Sequence, residues 1–251
     1  MTKIGVRVYG LAAIALGLVG LVFGDFASVW QPVPETIPER KLLAYLVAAA
    51  FVIGGLAIQW KRTGRLGAMI LADLYLLDVL LLHLPRVIAH PTSFAPYAGL
   101  AEQTALLAGG LLAFAQISEL KPATHARIVK LAEVVFGLCL ISFAAFHFVD
   151  LPDTAAAVPK WLPPSQVFWA FATGIAHLAA ALAILSGLMA RLASRLLTLM
   201  FIGFGVLVHA PSLLADPHSH FNWAANAVNL SLIGAAWVLA DALGKRPAAA
   251  H

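Results

Sequence analysis

QVFWAFATGIAHLAAALAILSGL, residues 166–188, contains no Asp, Glu, Lys or Arg, and its one ionisable side chain is His177. A helix needs about 20 apolar residues to cross the hydrocarbon core of a bilayer, so the stretch reads as a membrane span with an imidazole near its middle. Seven further runs bounded by Pro, Gly or charge read the same way, at about 4–24, 42–60, 66–84, 100–117, 127–149, 192–210 and 223–243. The composition agrees: of 251 residues 61% are apolar and 11% charged, too few charges to coat a soluble globule. The expected fold is an all-α membrane protein with eight transmembrane helices. A soluble enzyme, a disordered chain and a separate extramembrane domain are excluded. Cys139 is the single cysteine, which rules out exchange through an internal disulfide.

An offset of 126 lays residues 42–115 on 168–241 without a gap, with 17 of 74 positions identical. His83, Pro85 and Pro91 fall on His209, Pro211 and Pro217, so a His-x-Pro at the end of the third span recurs at the end of the seventh. The pattern implies two parallel four-helix-bundle repeats, a first unit 1–117 and a second unit 127–251, joined by a linker 118–126. Four helices per unit is an even number, so both units enter the membrane the same way round, about an axis along its normal.

Lys3, Arg7, Lys61, Arg62, Arg65, Lys121, Arg127, Lys130, Arg191, Arg195, Lys245 and Arg246 lie on one side of this layout. Only Arg40, Lys41, Arg86 and Lys160 lie on the other. The positive-inside rule then places both termini in the cytoplasm. The net charge of +4 is an orientation signal on this reading, and no nucleic acid partner is expected. The first span is expected to be retained, because Phe26-Ala27-Ser28 makes a poor signal-peptidase site.

An ionisable side chain at a helix centre costs about 2.5–3.5 kcal/mol on insertion scales, which makes each one a functional candidate. His147 and Asp150 share a face at i, i+3, with Asp150 placed to orient an imidazole, and His209 stands at the outer end of the seventh span. With His177 these histidines can converge on an outward-opening pocket, where neutral imidazole binds iron or hydrogen-bonds a quinone. The first-half counterpart, His83, reads as structural. Asn222, Asn226 and Asn229 form one stripe on the eighth span, read as glue between helices before a substrate path. Asp73 and Asp78 sit inside the third span about 140° apart, so they do not share a face. Asp216 with His218 and His220 forms an outer loop in which solvation is expected over metal binding. Gly54-Gly55, Gly109-Gly110 and Gly234-Ala235-Ala236 read as close helix packing.

Phe136-Gly137, His147-Phe148, Val158-Pro159-Lys160-Trp161-Leu162-Pro163, Phe168-Trp169-Ala170-Phe171, Thr173-Gly174 and Ala176-His177-Leu178 occur in that order. This run of a first helix, a proline-rich loop and a second helix with a Thr-Gly step resembles the DoxX family of small bacterial membrane proteins. The first half resembles it more weakly, through Trp30-Gln31-Pro32-Val33-Pro34 and Tyr45. The resemblance implies a four-helix bundle per unit, a bacterial inner membrane and association with redox systems such as quinone-linked oxidoreductases. Where the family pattern has an acidic residue after Thr-Gly, this chain has His177 and, in the first half, Phe51. The paired cysteines of thiol-active members are absent.

The expected function is a redox-associated accessory protein of the inner membrane, with a histidine-lined outward pocket in the second unit for haem, quinone or another hydrophobic ligand. Its candidate residues are His147, Asp150, His177, His209, Asn226 and Asn229, and the first unit is expected to be scaffold. Expected partners are the lipid bilayer and a respiratory or other redox membrane complex, with a homo-oligomer as a further alternative. Competing readings are a transporter or channel-like protein using the intramembrane Asp and Asn residues, disfavoured because no span looks broken, and a ligand-free assembly subunit. No nucleophile elbow, phosphate loop, HExxH or dinucleotide fingerprint is present.

Overall fold

The structure, a computed structural model, describes residues 3–244, so Lys245 and Arg246 lie outside the described residues. Among the described residues, eight helices are long and apolar enough to cross a membrane. They are α1 (Ile4–Phe23), α2 (Arg40–Ala57), α3 (Gly64–Ala89), α4 (Ala95–Ile117), α5 (Pro122–Val149), α6 (Gln166–Ser186), α7 (Ala190–Ala215) and α8 (His220–Leu243). Short helices at Ser28–Trp30 and Leu151–Ala156 sit in the connections, and no strand occurs among the described residues.

Local chemistry sets the helix ends. α1 and α6 stop at Gly24 and Gly187, whose φ of 64° and 78° would strain any other L-residue. Ser165 and Ser219 cap α6 and α8, each hydroxyl accepting a backbone N–H from Phe168 and Asn222 respectively. Pro122 opens α5 from its first position, where a missing N–H costs nothing, so residues 122–126 of the expected linker are helical.

Two spans are interrupted, against the expectation from the sequence. Asp78–His83 in α3 and Gly205–His209 in α7 are π-helical, and Leu84 and Ala210 donate their N–H groups five residues back, to Val79 and Gly205. Pro85 and Pro211 follow directly. Proline lacks an N–H and clashes with the carbonyl four residues earlier, and a widened turn relieves both problems while the helix continues. Both spans therefore run past their prolines, to Ala89 and Ala215, instead of stopping near 84 and 210. The offset of 126 carries Gly64–Ala89 onto Ala190–Ala215.

Each helix packs on the next around a ring from α1 to α8, α8 closes back on α1, and α4 meets α8 across the middle. The four-helix halves are thus not closed on themselves. The main partners of α1 are α2 and α8, and those of α4 are α3 and α5. Only residues 118–121 separate α4 from α5, a link short enough to make them antiparallel neighbours.

The central crossing is built from small residues. A Cβ on Gly234 would lie 2.5 Å from Tyr9 Cα, and one on Gly109 would lie 2.6 Å from Ala235 Cβ. In a membrane, where lipid tails are as apolar as leucine, such close approach is what drives helix association. Tyr9 fills the junction of the three helices, fully buried, and its hydroxyl donates to the Leu106 carbonyl at 2.8 Å. Gln116 adds a second link, donating from Nε2 to the Val238 carbonyl at 2.8 Å. A bulky Gly234→Leu change is expected to abolish the folded monomer in detergent, since backbone blocks the new side chain. Tyr9→Phe, which removes one interhelical hydrogen bond, should cost about 0.6 kcal/mol in a thermal unfolding measurement.

Candidate functional site

One cavity of about 530 Å³ lies at the end of the bundle opposite Ile4 and Leu243, within the size range of small-molecule sites. Its walls are largely aromatic, from Phe143, Phe146, Phe201, Phe204 and Phe221, and they carry a few polar groups. His147 on α5, His177 on α6, and His209 on α7 all line it, as does Asn229 on α8.

His177 is 2% exposed. Its Nδ1 lies 2.9 Å from the Thr173 carbonyl one turn back, which makes Nδ1 the protonated nitrogen of a neutral ring. Its Nε2 is buried with no hydrogen-bond partner. The His147 ring stacks on it, with centroids 5.2 Å apart and planes 30° from parallel. Thr173 directs its hydroxyl proton to the Trp169 and Ala170 carbonyls, so its oxygen is the acceptor for His147 Nδ1 at 3.4 Å. Both imidazoles therefore turn Nδ1–H toward α6 and keep Nε2 as a lone-pair acceptor. Phe143 meets His177 edge-on, and Phe201 and Phe204 close around it.

The Thr-Gly step explains this arrangement. A Cβ on Gly174 would come within 2.9 Å of both His147 Cβ and the Phe148 ring, so glycine lets α5 approach α6 closely enough for the two histidines to stack. In the first half the same positions are packed solid. Phe51 stands where the offset places His177, and it meets Tyr75 edge-on at 5.3 Å, both residues being 1% exposed.

The remaining candidates divide. Asp150 ends α5, where its carbonyl accepts from the Thr154 hydroxyl, and no ion pair or hydrogen bond joins its carboxylate to either histidine. The asparagines tie α8 to α7. Asn222, Asn226 and Asn229 donate from Nδ2 to the carbonyls of Ser212, His209 and Phe201 at 3.0, 2.8 and 3.1 Å. Asn226 does not line this cavity. With Asn229 it lines a second groove of about 670 Å³ between α1, α7 and α8. Asp73 is exposed, whereas Asp78 is 7% exposed and neighbours the Gln31 side chain. Neither Asp78 Oδ2 nor Gln31 Nε2 has a hydrogen-bond partner. Between α7 and α8 the His218 N–H bonds to Asp216, and His220, the first residue of α8, stacks on Phe23. No three His, Cys, Asp or Glu side chains among the described residues cluster closely enough to hold a metal ion.

The first half also contributes to the cavity wall. Trp30, His83, Arg86 and Glu102 line the same cavity. His83, 3% exposed, shares a hydrogen bond of 3.0 Å with the Trp30 carbonyl, and the Trp30 indole N–H donates to Glu102 Oε2 at 3.0 Å. Glu102 escapes a reading that starts the fourth span at 100. The helix begins at Ala95, which puts Glu102 about two turns inside. The rule that flags Asp73 applies to it equally. Glu133, fully buried in α5 beside Lys130, is missed for the same reason.

Residues 134–210 match the DoxX family model. The matched stretch holds His147, Asp150, His177 and His209, so the stacked pair lies within the region of similarity, while Glu102 and Trp30 lie outside it. No curated protein and no solved structure matches the chain.

Gly174→Val should wedge α5 from α6 and lower stability by about 1–3 kcal/mol in detergent. Gly203→Ala, at a position with nothing within 4 Å, should leave the melting temperature unchanged within about a degree.

Proposed function

We propose that this protein is a redox-associated accessory protein of the bacterial inner membrane that binds a small hydrophobic ligand in the cavity, with a hydroxyl of that ligand on the His147–His177 pair. The carrying observation is the His177 Nε2, a buried acceptor without a partner in an aromatic-lined space. A polar atom left unsatisfied in such a place costs free energy that a ligand donor recovers. Both imidazoles offer acceptors, so the matching ligand brings O–H groups, and a hydroquinone fits that chemistry. A haem fits poorly. Axial ligation needs an imidazole end-on to the iron with space for a flat macrocycle, whereas these rings lie side by side and three phenyl rings surround His177.

The test is equilibrium binding of a short-chain hydroquinone to the detergent-purified protein under anaerobic, reducing conditions. Binding should saturate, and His177→Leu should weaken it about tenfold, the worth of one hydrogen bond in a dry site. No saturable binding, or none lost in His177→Leu, overturns the proposal.

The reading includes two parallel copies of one four-helix unit with both termini in the cytoplasm. The π turns fall at matching positions of α3 and α7, and Lys3, Arg7, Lys61, Arg62, Arg65, Lys121, Arg191 and Arg195 collect at one end of the helices, which supports it. In a Cys139→Ser background, Lys160→Cys should react with an impermeant maleimide on intact cells, and Lys121→Cys should react only after permeabilisation.

A further inference from the structure

The cavity has a second polar wall that the hydroxyl-binding reading does not use. Glu102 projects from α4, about two turns inside the span, with one oxygen held by the Trp30 indole N–H. Trp30 packs against Phe221 of α8 with ring centroids 5.2 Å apart, and all three residues line the cavity. Among the described residues no Lys, Arg or His forms an ion pair with Glu102. Arg86 also lines the cavity, from an exposed position on α3, and makes no such pair.

A carboxylate in low dielectric is costly without a counter-charge. Aromatic faces within about 6 Å of a cation attract it through their quadrupoles, and most strongly when water is excluded. A carboxylate fixed to the edge of one indole, with a phenyl ring beside it and an apolar chamber beyond, combines both elements of ammonium recognition. Phe143, Phe146 and Phe204 supply surface for an apolar body attached to the charge.

We propose that Glu102, Trp30 and Phe221 form a subsite for a lipophilic organic cation, a protonated amine carried on an apolar body. The ammonium donates to the free Glu102 oxygen and lies against the two rings, and the body occupies the phenylalanine-lined space. The site is distinct in its residues from the histidine pair, so either can fail without the other.

The probe is a tritiated phenylalkylamine, compared with the phenylalkane of equal length, which has no hydroxyl for the histidine pair, both titrated onto the full chain in detergent. The amine should bind at least tenfold more tightly than the hydrocarbon. Glu102→Gln keeps an acceptor for Trp30 and removes the charge, so it should cost the amine tenfold or more and leave the hydrocarbon unchanged, with its fold checked by thermal unfolding. Arg86→Gln should tighten amine binding by removing a like charge, and His177→Leu should leave it intact. Equal affinities for amine and hydrocarbon, an unaffected Glu102→Gln protein, or amine binding that appears only in Arg86→Gln, which would make Arg86 the counter-ion of Glu102, each overturn the proposal.

Discussion

Close approach of three helix backbones at glycine and alanine organises this molecule. With Gly234 against the Tyr9 backbone and Gly109 against Ala235, α1, α4 and α8 cross more tightly than larger side chains allow. Lipid gives no hydrophobic push between helices, so this dense contact and a few hydrogen bonds such as Tyr9 to Leu106 carry the association. With α8 drawn to α1 and α4 drawn to α5, the halves interlock. The cavity is the space left where aromatic residues of both halves meet beyond that crossing.

The second organising constraint is the fate of polar groups in an apolar medium. Asn222, Asn226 and Asn229 spend their amides on α7 carbonyls at and around its π turn, and Thr173 spends its hydroxyl proton on α6. His177 Nε2, by contrast, is among the few buried side-chain atoms without a partner, together with Asp78 Oδ2, Gln31 Nε2, Gln116 Oε1, Ser118 Oγ and His220 Nε2. The contrast separates the histidine wall from the asparagine stripe: the stripe holds helices together, and the wall has an acceptor to spare.

The sequence discloses some of this readily. Eight helices follow from runs of apolar residues, and His177 stands out because it alone breaks a charge-free stretch. The π turns are foreshadowed by Pro85 and Pro211, although a pattern of hydrophobicity cannot separate a widened turn from a helix end. Glu102 is hidden by a boundary set five residues late, since Ala95-Pro96-Tyr97 is a helix start of low hydrophobic contrast. The partnership of α8 with α1 has no local signature. It depends on small faces of separate helices matching in space, and each face alone reads only as close packing somewhere. For the same reason the contribution of Trp30 to the cavity follows from how the connection after α1 folds back, and not from its own residues.

The interlocked arrangement has a consequence for symmetry. Were α1 to α4 a separate chain, its α1 would lack the surface that α8 provides, and the natural remedy would be an isologous dimer exchanging fourth helices. Two identical chains must repeat every side chain about their twofold axis, so a histidine wall would bring a matching histidine wall with it. Joining the halves through residues 118–121 lifts that obligation. One half can then keep Phe51 and Tyr75 as a solid plug while the other keeps His147 and His177 around an open space, and a single chamber can present a carboxylate on one wall and imidazoles on another.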